Sequence, residues 1–185
     1  MDHSNQSLET RHHSLNKLSF DRESDMSKIF SAQSCIRSQY AYSDWFSWEA
    51  REFKGLFGVP DHLSIFWKND ARGRRIQRTF AFEMKRKHWQ RALMQAYRYA
   101  SFAEYSFVVL DNEYVHRALS QLDEFKKSNI GLLSIKFDGE VIWHFRPRYR
   151  LPYSKHMHTL LKEEIDSYLF SEDTARQKRR LQWVA

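Results

Sequence analysis

Residues 79–85 alternate strictly between apolar and other side chains, and this pattern constrains the fold more than any other feature of the chain. Neighbouring positions would face opposite sides of a β-strand, because side chains on a strand have period two. One side would carry the apolar residues Phe80, Phe82 and Met84. Glu83 and Lys85 would stand side by side on the other face, with Thr79 and Ala81. The pattern therefore predicts a strand that packs one face into a core and presents a carboxylate beside an ammonium.

A second apolar run, residues 62–68, precedes this strand, and a basic turn at residues 69–74 separates the two. If the two runs form a hairpin, Asp61 at the start of the first run lies beside Glu83. Two carboxylates with the Lys85 ammonium at their edge would make a divalent-metal site, because Mg²⁺ is usually held by one or two carboxylates plus waters and phosphate oxygens. Such a set of groups suits the cleavage of a phosphodiester.

These residues resemble the motifs of the PD-(D/E)XK nuclease superfamily. Its PD, its (D/E)XK and the accessory motif of its RecB-type branch correspond, in that order, to Pro60-Asp61, Glu83-Met84-Lys85 and Gln95-x-x-x-Tyr99. The three motifs together are far more specific than Glu-x-Lys alone, and the resemblance covers roughly residues 40–145. It implies an α/β protein with a restriction-endonuclease-like core, a mixed β-sheet of about four to five strands flanked by helices, and metal-dependent cleavage of nucleic acid, most readily DNA.

The resemblance also implies roles for individual residues. Asp61, Glu83 and the backbone carbonyl of Met84 would coordinate one Mg²⁺ or Mn²⁺. Lys85 would orient or deprotonate the attacking water and stabilise the developing negative charge. Two residues on the following helix would line the cleft and position the substrate or the lysine, namely Gln95 and Tyr99.

Residues 40–57 predict a helix with one aromatic side when they are placed at about 100° per residue. Glu49 lies near the middle of that side, between Trp45 and Phe53. A buried carboxylate costs on the order of several kcal/mol unless it is paired or metal-bound. Since the resembling family often carries a further acid on the helix before its Asp, Glu49 is the first candidate for that role and Glu52 the second. A helix rolled by one residue, with Glu49 on its rim, is the alternative.

The rest of the chain divides into an expected arm, domain and tail. Residues 1–35 are polar and predict a mobile arm, although residues 25–37 are also compatible with a short helix that leads into the domain. Residues 36–170 predict the nuclease-like domain and residues 171–185 a basic tail. The expected elements after the central strand are helices at 88–102, 113–127 and 155–170 and strands at 104–110, 131–137 and 140–145. The strand–helix–strand order predicts a parallel pair within a mixed sheet.

The chain carries a net charge of +7 and has a pI near 9.5. This balance favours an anionic partner, with nucleic acid as the first candidate and an anionic membrane surface as the second. The basic hairpin at 68–78 and the loop at 146–155 would hold a phosphate backbone on either side of the site. The expected nucleic-acid contacts are Lys68, Arg72, Arg74, Arg75, Arg78, Lys87, Arg91, Arg98, Arg146, Arg148 and Arg150. A basic protein with a solvated hairpin tip and no special partner is the alternative.

The single cysteine, Cys35, excludes an intrachain disulfide and fits a reducing compartment. No apolar stretch approaches the roughly 18 residues that span a bilayer, and no secretory signal is visible. We therefore expect a cytoplasmic, nucleoid or nuclear protein that is not secreted and has no membrane partner. A duplex cutter of this size would act as a homodimer or within a larger DNA-processing complex.

Two other functions are compatible with the sequence. In one, the nuclease fold only binds nucleic acid or serves as a subunit without cleavage of its own. In the other, the chain is an unrelated basic α/β interaction protein in which the motifs are coincidental. The sequence selects neither DNA over RNA nor a duplex over a single-stranded or branched substrate.

Overall fold

The computed structural model describes residues 19–54 and 58–182, with side chains described as far as Tyr168. In this part of the chain a six-stranded sheet lies at the centre. Its strands are β1 Phe46–Arg51, β2 His62–Asn69, β3 Arg75–Lys85, β4 Tyr105–Asp111, β5 Gly131–Ile135 and β6 Val141–Phe145. They lie in sequence order across the sheet: β1, β2 and β3 are antiparallel, β3, β4 and β5 are parallel, and β6 is antiparallel to β5. The expected α/β class with a mixed sheet is confirmed, although the sheet has six strands and not four to five.

Helices cover both faces of this sheet. They are α1 Glu23–Ile29, α2 Ala32–Gln39, α3 Trp89–Tyr99, α4 His116–Leu119, α5 Leu122–Ser128 and α6 Lys155–Gln182, with a 3₁₀ turn at Asn112–Tyr114. The first two helices bury their apolar residues against one face of the sheet. The other helices pack on the opposite face, where α3 is shared by two apolar clusters. The sheet is thus the middle of three layers, as is usual when parallel strands are buried on both sides.

The alternation of β3 appears in its packing. Phe80, Phe82 and Met84 lie in the cluster under α1 and α2, whereas Ala81 belongs to the cluster under α3 and α6. The Phe80 ring stacks on the Tyr105 ring of β4 at 4.6 Å between centroids. The last six residues of β3 are therefore almost entirely buried, and this packing on both faces holds the carboxyl-terminal end of the strand in place.

The helix expected over residues 40–57 is wrong, because Phe46–Arg51 forms the edge strand β1. Trp48 and Ala50 face the cluster under α6, while Glu49 faces α2. This period of two was hidden in the sequence because closely spaced aromatic residues fit a helical period equally well. Aromatic side chains also favour strands, and pairing with β2 along the full length of β1 decides the conformation. The predicted end of that helix, at residues 55–57, lies outside the described residues.

The mobile arm expected over residues 1–35 differs from the structure from residue 20 onward. Phe20, Met26 and Phe30 are buried in the cluster that covers one face of the sheet. The backbone N–H of Phe20 also donates to the fully buried carboxylate of Asp111 at 3.0 Å. These apolar residues are spaced among polar ones, so they form no local amphipathic pattern and their burial depends on the sheet. Residues 1–18 lie outside the described part.

The helix expected over residues 113–127 is interrupted. The structure has a 3₁₀ turn and then two short helices, α4 and α5, which are separated at Ser120 and Gln121. The Ser120 hydroxyl donates to the carbonyl of Arg117 at 2.9 Å, and local bonds of this kind compete with a continuing helix.

The last helix is longer than expected. α6 was predicted to end at residue 170 but continues to Gln182, so much of the expected basic tail has a helical backbone. Leu161 and Ile165 anchor the first half of α6 in the core. Among the helices of the described residues, none is both long and apolar enough to cross a membrane.

Candidate active site

The carboxyl-terminal end of β3 lies beside the amino-terminal end of β2, because the two strands are antiparallel. His62 pairs with Phe82 in the antiparallel register, so the residue before β2 lies beside the end of β3. Asp61 is that residue, and its Oδ2 accepts a hydrogen bond from the Met84 backbone N–H at 2.6 Å. The structure thus brings Asp61 to Glu83, as the hairpin interpretation of the sequence expected.

The Lys85 ammonium lies among three oxygens. Its Nζ is 2.7 Å from Glu83 Oε1, 3.0 Å from the Met84 carbonyl oxygen and 3.4 Å from Glu23 Oε2. Burial alone would lower the pKa of Lys85, but the hydrogen bond to Glu83 and the charges of Glu83, Asp61 and Glu23 outweigh it and raise that pKa. Lys85 therefore remains a cation near neutral pH.

Glu83 is a buried carboxylate, with 1% of its surface exposed. Burial and the neighbouring charge of Asp61 raise its pKa, although hydrogen bonds from Lys85 and Tyr99 oppose the shift. Burial likewise raises the pKa of Asp61, against the hydrogen bond from the Met84 N–H and the charge of Lys85. Two carboxylates crowded together in a poorly solvated place repel one another, which makes the site electrostatically favourable for a cation.

Tyr99 fixes Glu83 from the α3 side. Its hydroxyl lies 2.5 Å from Glu83 Oε2 and 3.0 Å from the carbonyl oxygen of Val59. Burial and the contact with Glu83 raise the pKa of Tyr99, so the phenol stays protonated and can donate. The ring is held against Gly58, which has a φ of +102° and where a Cβ would lie only 2.9 Å from Tyr99 Cε1. Glycine at this position therefore permits both the backbone turn and the close approach of the ring.

Glu23 is a candidate functional residue that sequence reasoning missed. It lies in the first turn of α1. One of its carboxylate oxygens faces Lys85, and the other accepts from the Arg86 backbone N–H at 3.4 Å. The only local signal was its place among the acidic residues that favour a helix N-terminus. Glu23 and Lys85 are 62 positions apart in the sequence, so a local helix signal could not predict their contact.

A cleft of about 500 Å³ opens beside these residues, between α1, the end of β1 and the Asp61–Met84 contact. Glu52 lines the cleft, is exposed, and has an unusual φ of +48°. Its backbone N–H donates to the Asp61 carbonyl oxygen at 3.1 Å. The structure therefore places Glu52, the second of the two acids considered from sequence, on the same cleft as Asp61 and Glu23.

Glu49, the first of those two acids, is occupied elsewhere. Its Oε1 lies 2.9 Å from His62 Nδ1, and its Oε2 accepts from the Gln33 backbone N–H at 3.2 Å. His62 is fully buried, and its Nε2 lies 2.9 Å from the Ser27 hydroxyl. Burial alone would raise the pKa of Glu49, but the bonds from His62 and Gln33 lower it below the ordinary value. This side chain was expected on the apolar side of a helix. Because residues 46–51 form the strand β1 instead, it faces α2.

Gln95 has no described contact with the carboxylates. It is half-buried on α3, one turn before Tyr99, and its Oε1 is buried without a hydrogen-bond partner in the described part of the chain. The structure thus brings Tyr99, but not Gln95, into contact with Glu83.

The basic hairpin turn lies at the far end of the sheet. From His62 to Asn69, β2 advances seven residues, or about 24 Å at roughly 3.4 Å per residue. Arg74 is paired with Asp70 at 2.8 Å, and Arg75 is paired with Asp166. The basic turn of this hairpin is therefore far from Asp61, and its contact with a phosphate backbone stays a prediction. Lys68, near the end of β2, and Arg72, in the turn, lie at the same end of the sheet.

The remaining basic residues lie on β3, in or just before α3, and in the loop after β6. Lys87 Nζ lies 4.5 Å from the centre of the Tyr114 ring, close to the end of β3. Arg78 covers the Tyr149 ring at 4.6 Å. Arg146 donates to Gln39 at 2.6 Å and Arg150 to the Ser128 carbonyl at 3.5 Å. Five of these residues are exposed, namely Lys87, Arg91, Arg98, Arg146 and Arg148.

None of the family models, curated proteins and solved structures compared with this chain matches it. Within the described residues, no group of three or more His, Cys, Asp or Glu side chains is arranged as a metal site.

Proposed function

We propose that this protein is a metal-dependent nuclease that hydrolyses phosphodiester bonds of DNA. The observation that carries this proposal is the environment of the Lys85 ammonium. Glu83, the Met84 carbonyl and Glu23 surround it with oxygens, and Asp61 lies beside Glu83 at the mouth of a cleft. A cleft of this volume falls within the range of small-molecule sites, so it can admit part of a nucleotide.

The residues present fit Mg²⁺ or Mn²⁺. Carboxylate and carbonyl oxygens are the ligands that these ions prefer. Burial raises the pKa values of Asp61 and Glu83, with the charges of Glu23 and Asp61 respectively adding to it, and a divalent cation would offset this unfavourable burial of negative charge. Asp61, Glu83 and the Met84 carbonyl would hold the ion, and Glu23 replaces Glu49 as the first choice for a further acid. When bound, the metal supplies a water of lowered pKa and neutralises charge on the phosphate.

The protein's own groups have distinct tasks in this proposal. Because Lys85 stays protonated, its contribution is electrostatic: it stabilises negative charge that develops on the phosphate. Tyr99 holds Glu83 in one orientation through the 2.5 Å contact. The rigid end of β3 keeps Glu83 and Lys85 at a fixed separation, which favours a constant geometry through the reaction.

Cleavage of several DNA forms tests the proposal. The purified protein would be incubated with supercoiled plasmid, linear duplex, single strands and a four-way junction, in Mg²⁺, in Mn²⁺ and in EDTA. We expect metal-dependent products from the wild type, none from Lys85→Ala or Asp61→Ala, and unchanged products from Lys127→Ala. Lys127 is a matched control because it is also ion-paired but lies exposed on α5.

The outcomes separate the candidate functions. A Lys85→Ala protein as active as the wild type would refute the proposed mechanism. No product from any substrate, together with intact salt-sensitive DNA binding, would favour a nuclease fold that binds DNA or serves as a subunit without cutting.

A further inference from the structure

Two segments of the chain are strongly basic and contain no acidic residue. Residues 84–103 hold five Lys or Arg and no Asp or Glu, and residues 141–162 also hold five Lys or Arg and no Asp or Glu. Two shorter stretches, residues 71–82 and 174–185, each hold four Lys or Arg and likewise no Asp or Glu. Lys85 is paired with Glu83 and Glu23 from outside its segment, but no ion pair among the described residues neutralises Arg91 or Arg98, so the surface around these two keeps a positive potential.

The fold packs these two segments against each other. The Tyr153 N–H donates to the Ala100 carbonyl at 3.1 Å, and the Ser154 N–H donates to the Ser101 carbonyl at 3.2 Å. The Tyr153 hydroxyl also donates to the Arg98 carbonyl at 3.4 Å. The end of α3 and the loop before α6 therefore form one continuous basic surface.

Exposed rings lie on this surface. Tyr97 and Tyr153 stack on each other with centroids 6.1 Å apart and planes 28° apart, and they remain 48% and 57% exposed. Four further large apolar side chains of the same segments are exposed, namely Met94, Tyr149, Leu151 and Leu160. Exposed apolar side chains that cluster, and are flanked by charges, indicate a binding surface. We refer to Tyr97, Tyr153 and their basic neighbours Arg91 and Arg98 as the tyrosine platform.

We propose that the tyrosine platform binds single-stranded nucleic acid. The exposed ring faces of Tyr97 and Tyr153 stack on unpaired bases, and Arg91 and Arg98 contact the phosphates. Aromatic side chains beside a basic groove are the usual means of holding a single strand without sequence preference. A duplex hides the faces of its bases, so the rings would have nothing to stack on. The absence of acidic residues from the two segments favours a polyanion over a protein as the partner.

The platform lies on the helix that also serves the candidate site. α3 carries Tyr99 on its inner side, against Glu83, and Tyr97 and Arg98 on its outer side. Tyr97 and Tyr99 are two residues apart on α3, so the platform lies on the outer side of the helix whose inner side contacts Glu83. The platform proposal rests on the proposed nuclease function and deepens it by selecting the form of its substrate.

Fluorescence anisotropy in EDTA tests the platform without any need for cleavage. The probes are a labelled single-stranded DNA of about 16 nucleotides and a hairpin duplex of equal charge. We expect the full-length protein to bind the single strand more tightly than the duplex. Tyr97→Ala and Tyr153→Ala should each weaken single-strand binding about tenfold, since stacking on one ring is worth on the order of 1–3 kcal/mol. Duplex binding should change less than twofold.

Matched variants separate stacking from general apolar contact. Tyr153→Phe keeps the ring and should bind like the wild type, whereas Tyr153→Leu keeps apolar area without a ring and should bind like Tyr153→Ala. Equal affinity of the wild type for both probes, or full single-strand affinity in the Tyr97→Ala Tyr153→Ala double variant, would overturn the proposal. Loss of a self-associated state in Tyr153→Leu, with unchanged DNA binding, would also overturn it by assigning the platform to a second copy of the chain.

The two proposals fail separately. A protein that cleaves DNA in Mg²⁺ but binds single strands independently of Tyr97 and Tyr153 loses only the platform. A protein that binds single strands through these rings but cleaves nothing loses only the nuclease.

Discussion

Replacing Lys85 by Met would remove the ammonium that contacts Glu83, Met84 and Glu23. The Lys85 side chain is only 14% exposed and Glu83 is almost fully buried, so solvent screens this pair weakly. Removing one partner of a buried pair costs about 3–5 kcal/mol, because the other charge is left uncompensated. Methionine keeps most of the length and volume of the lysine stem, so little is added for a cavity. We expect the free energy of unfolding to fall by about 3 kcal/mol near pH 8 without metal.

This loss should depend on pH. Burial raises the pKa of Glu83 and of Asp61, while Lys85 holds both pKa values down. A carboxyl with a raised folded-state pKa stabilises the fold fully below its unfolded pKa, and that stability is lost as the pH rises through the folded pKa. Removing Lys85 raises these folded pKa values further and moves the loss to higher pH. Lys85→Met should therefore be less destabilising near pH 5 than near pH 8.

A divalent metal should restore most of the lost stability. An ion that binds only the folded state adds about 2.7 kcal/mol at 100 times its dissociation constant, which is close to the loss expected for Lys85→Met. Urea unfolding followed by tryptophan fluorescence, at both pH values and with and without Mg²⁺, measures all three effects. Lys127→Met removes an exposed ion-paired lysine and should change stability by no more than about 0.5 kcal/mol. A Lys85→Met protein as stable as the wild type near pH 8, or one that Mg²⁺ leaves unchanged, would refute the view that the carboxylates beside Lys85 form a cation site.

Four other substitutions probe the surroundings. Tyr99→Phe removes the donor to Glu83 and should cost about 1–3 kcal/mol in urea unfolding; an unchanged midpoint would contradict a buried bond. Gly58→Ala combines a φ of +102° with a contact of 2.9 Å to the Tyr99 ring and should cost about 1–3 kcal/mol in the same assay; a more stable variant would show that the turn differs from the one described. Glu23→Gln should weaken Mn²⁺ binding in a calorimetric titration about tenfold, whereas Glu49→Gln should leave it within about threefold, and the reverse order would restore Glu49 as the third acid.

The part of the fold that could be predicted is the part whose pattern is local. The alternation of residues 79–85 and the turn before it sufficed to predict β3 and its pairing with β2, and this pairing brings Asp61 to Glu83. β1 could not be predicted in the same way. Its aromatic residues satisfy both a helical period and a strand period, and only the edge of β2 selects the strand.

The packing of the first helix against the sheet could not be predicted for a related reason. Phe20, Met26 and Phe30 are too few and too widely spaced to form an amphipathic pattern, so the segment resembles a polar arm until the sheet is present to receive it. The acid that faces Lys85 lies on this segment. Glu23 could therefore not be distinguished in the sequence from any other acidic residue at a helix N-terminus.

The contacts of Glu49 link the edge strand to that first helix. Glu49 on β1 contacts His62 on β2, and His62 contacts Ser27 on α1, each at 2.9 Å. Glu23 precedes Ser27 by four residues, so the two side chains lie on the same side of α1, one turn apart. The pairing of Glu49 with a fully buried histidine thus fixes the helix that presents Glu23 to Lys85. The same pairing gives the partly buried carboxylate of Glu49 a hydrogen bond without a metal. The burial of Glu49 suggested a metal ligand in the sequence, and the structure explains it by the role of Glu49 in positioning α1.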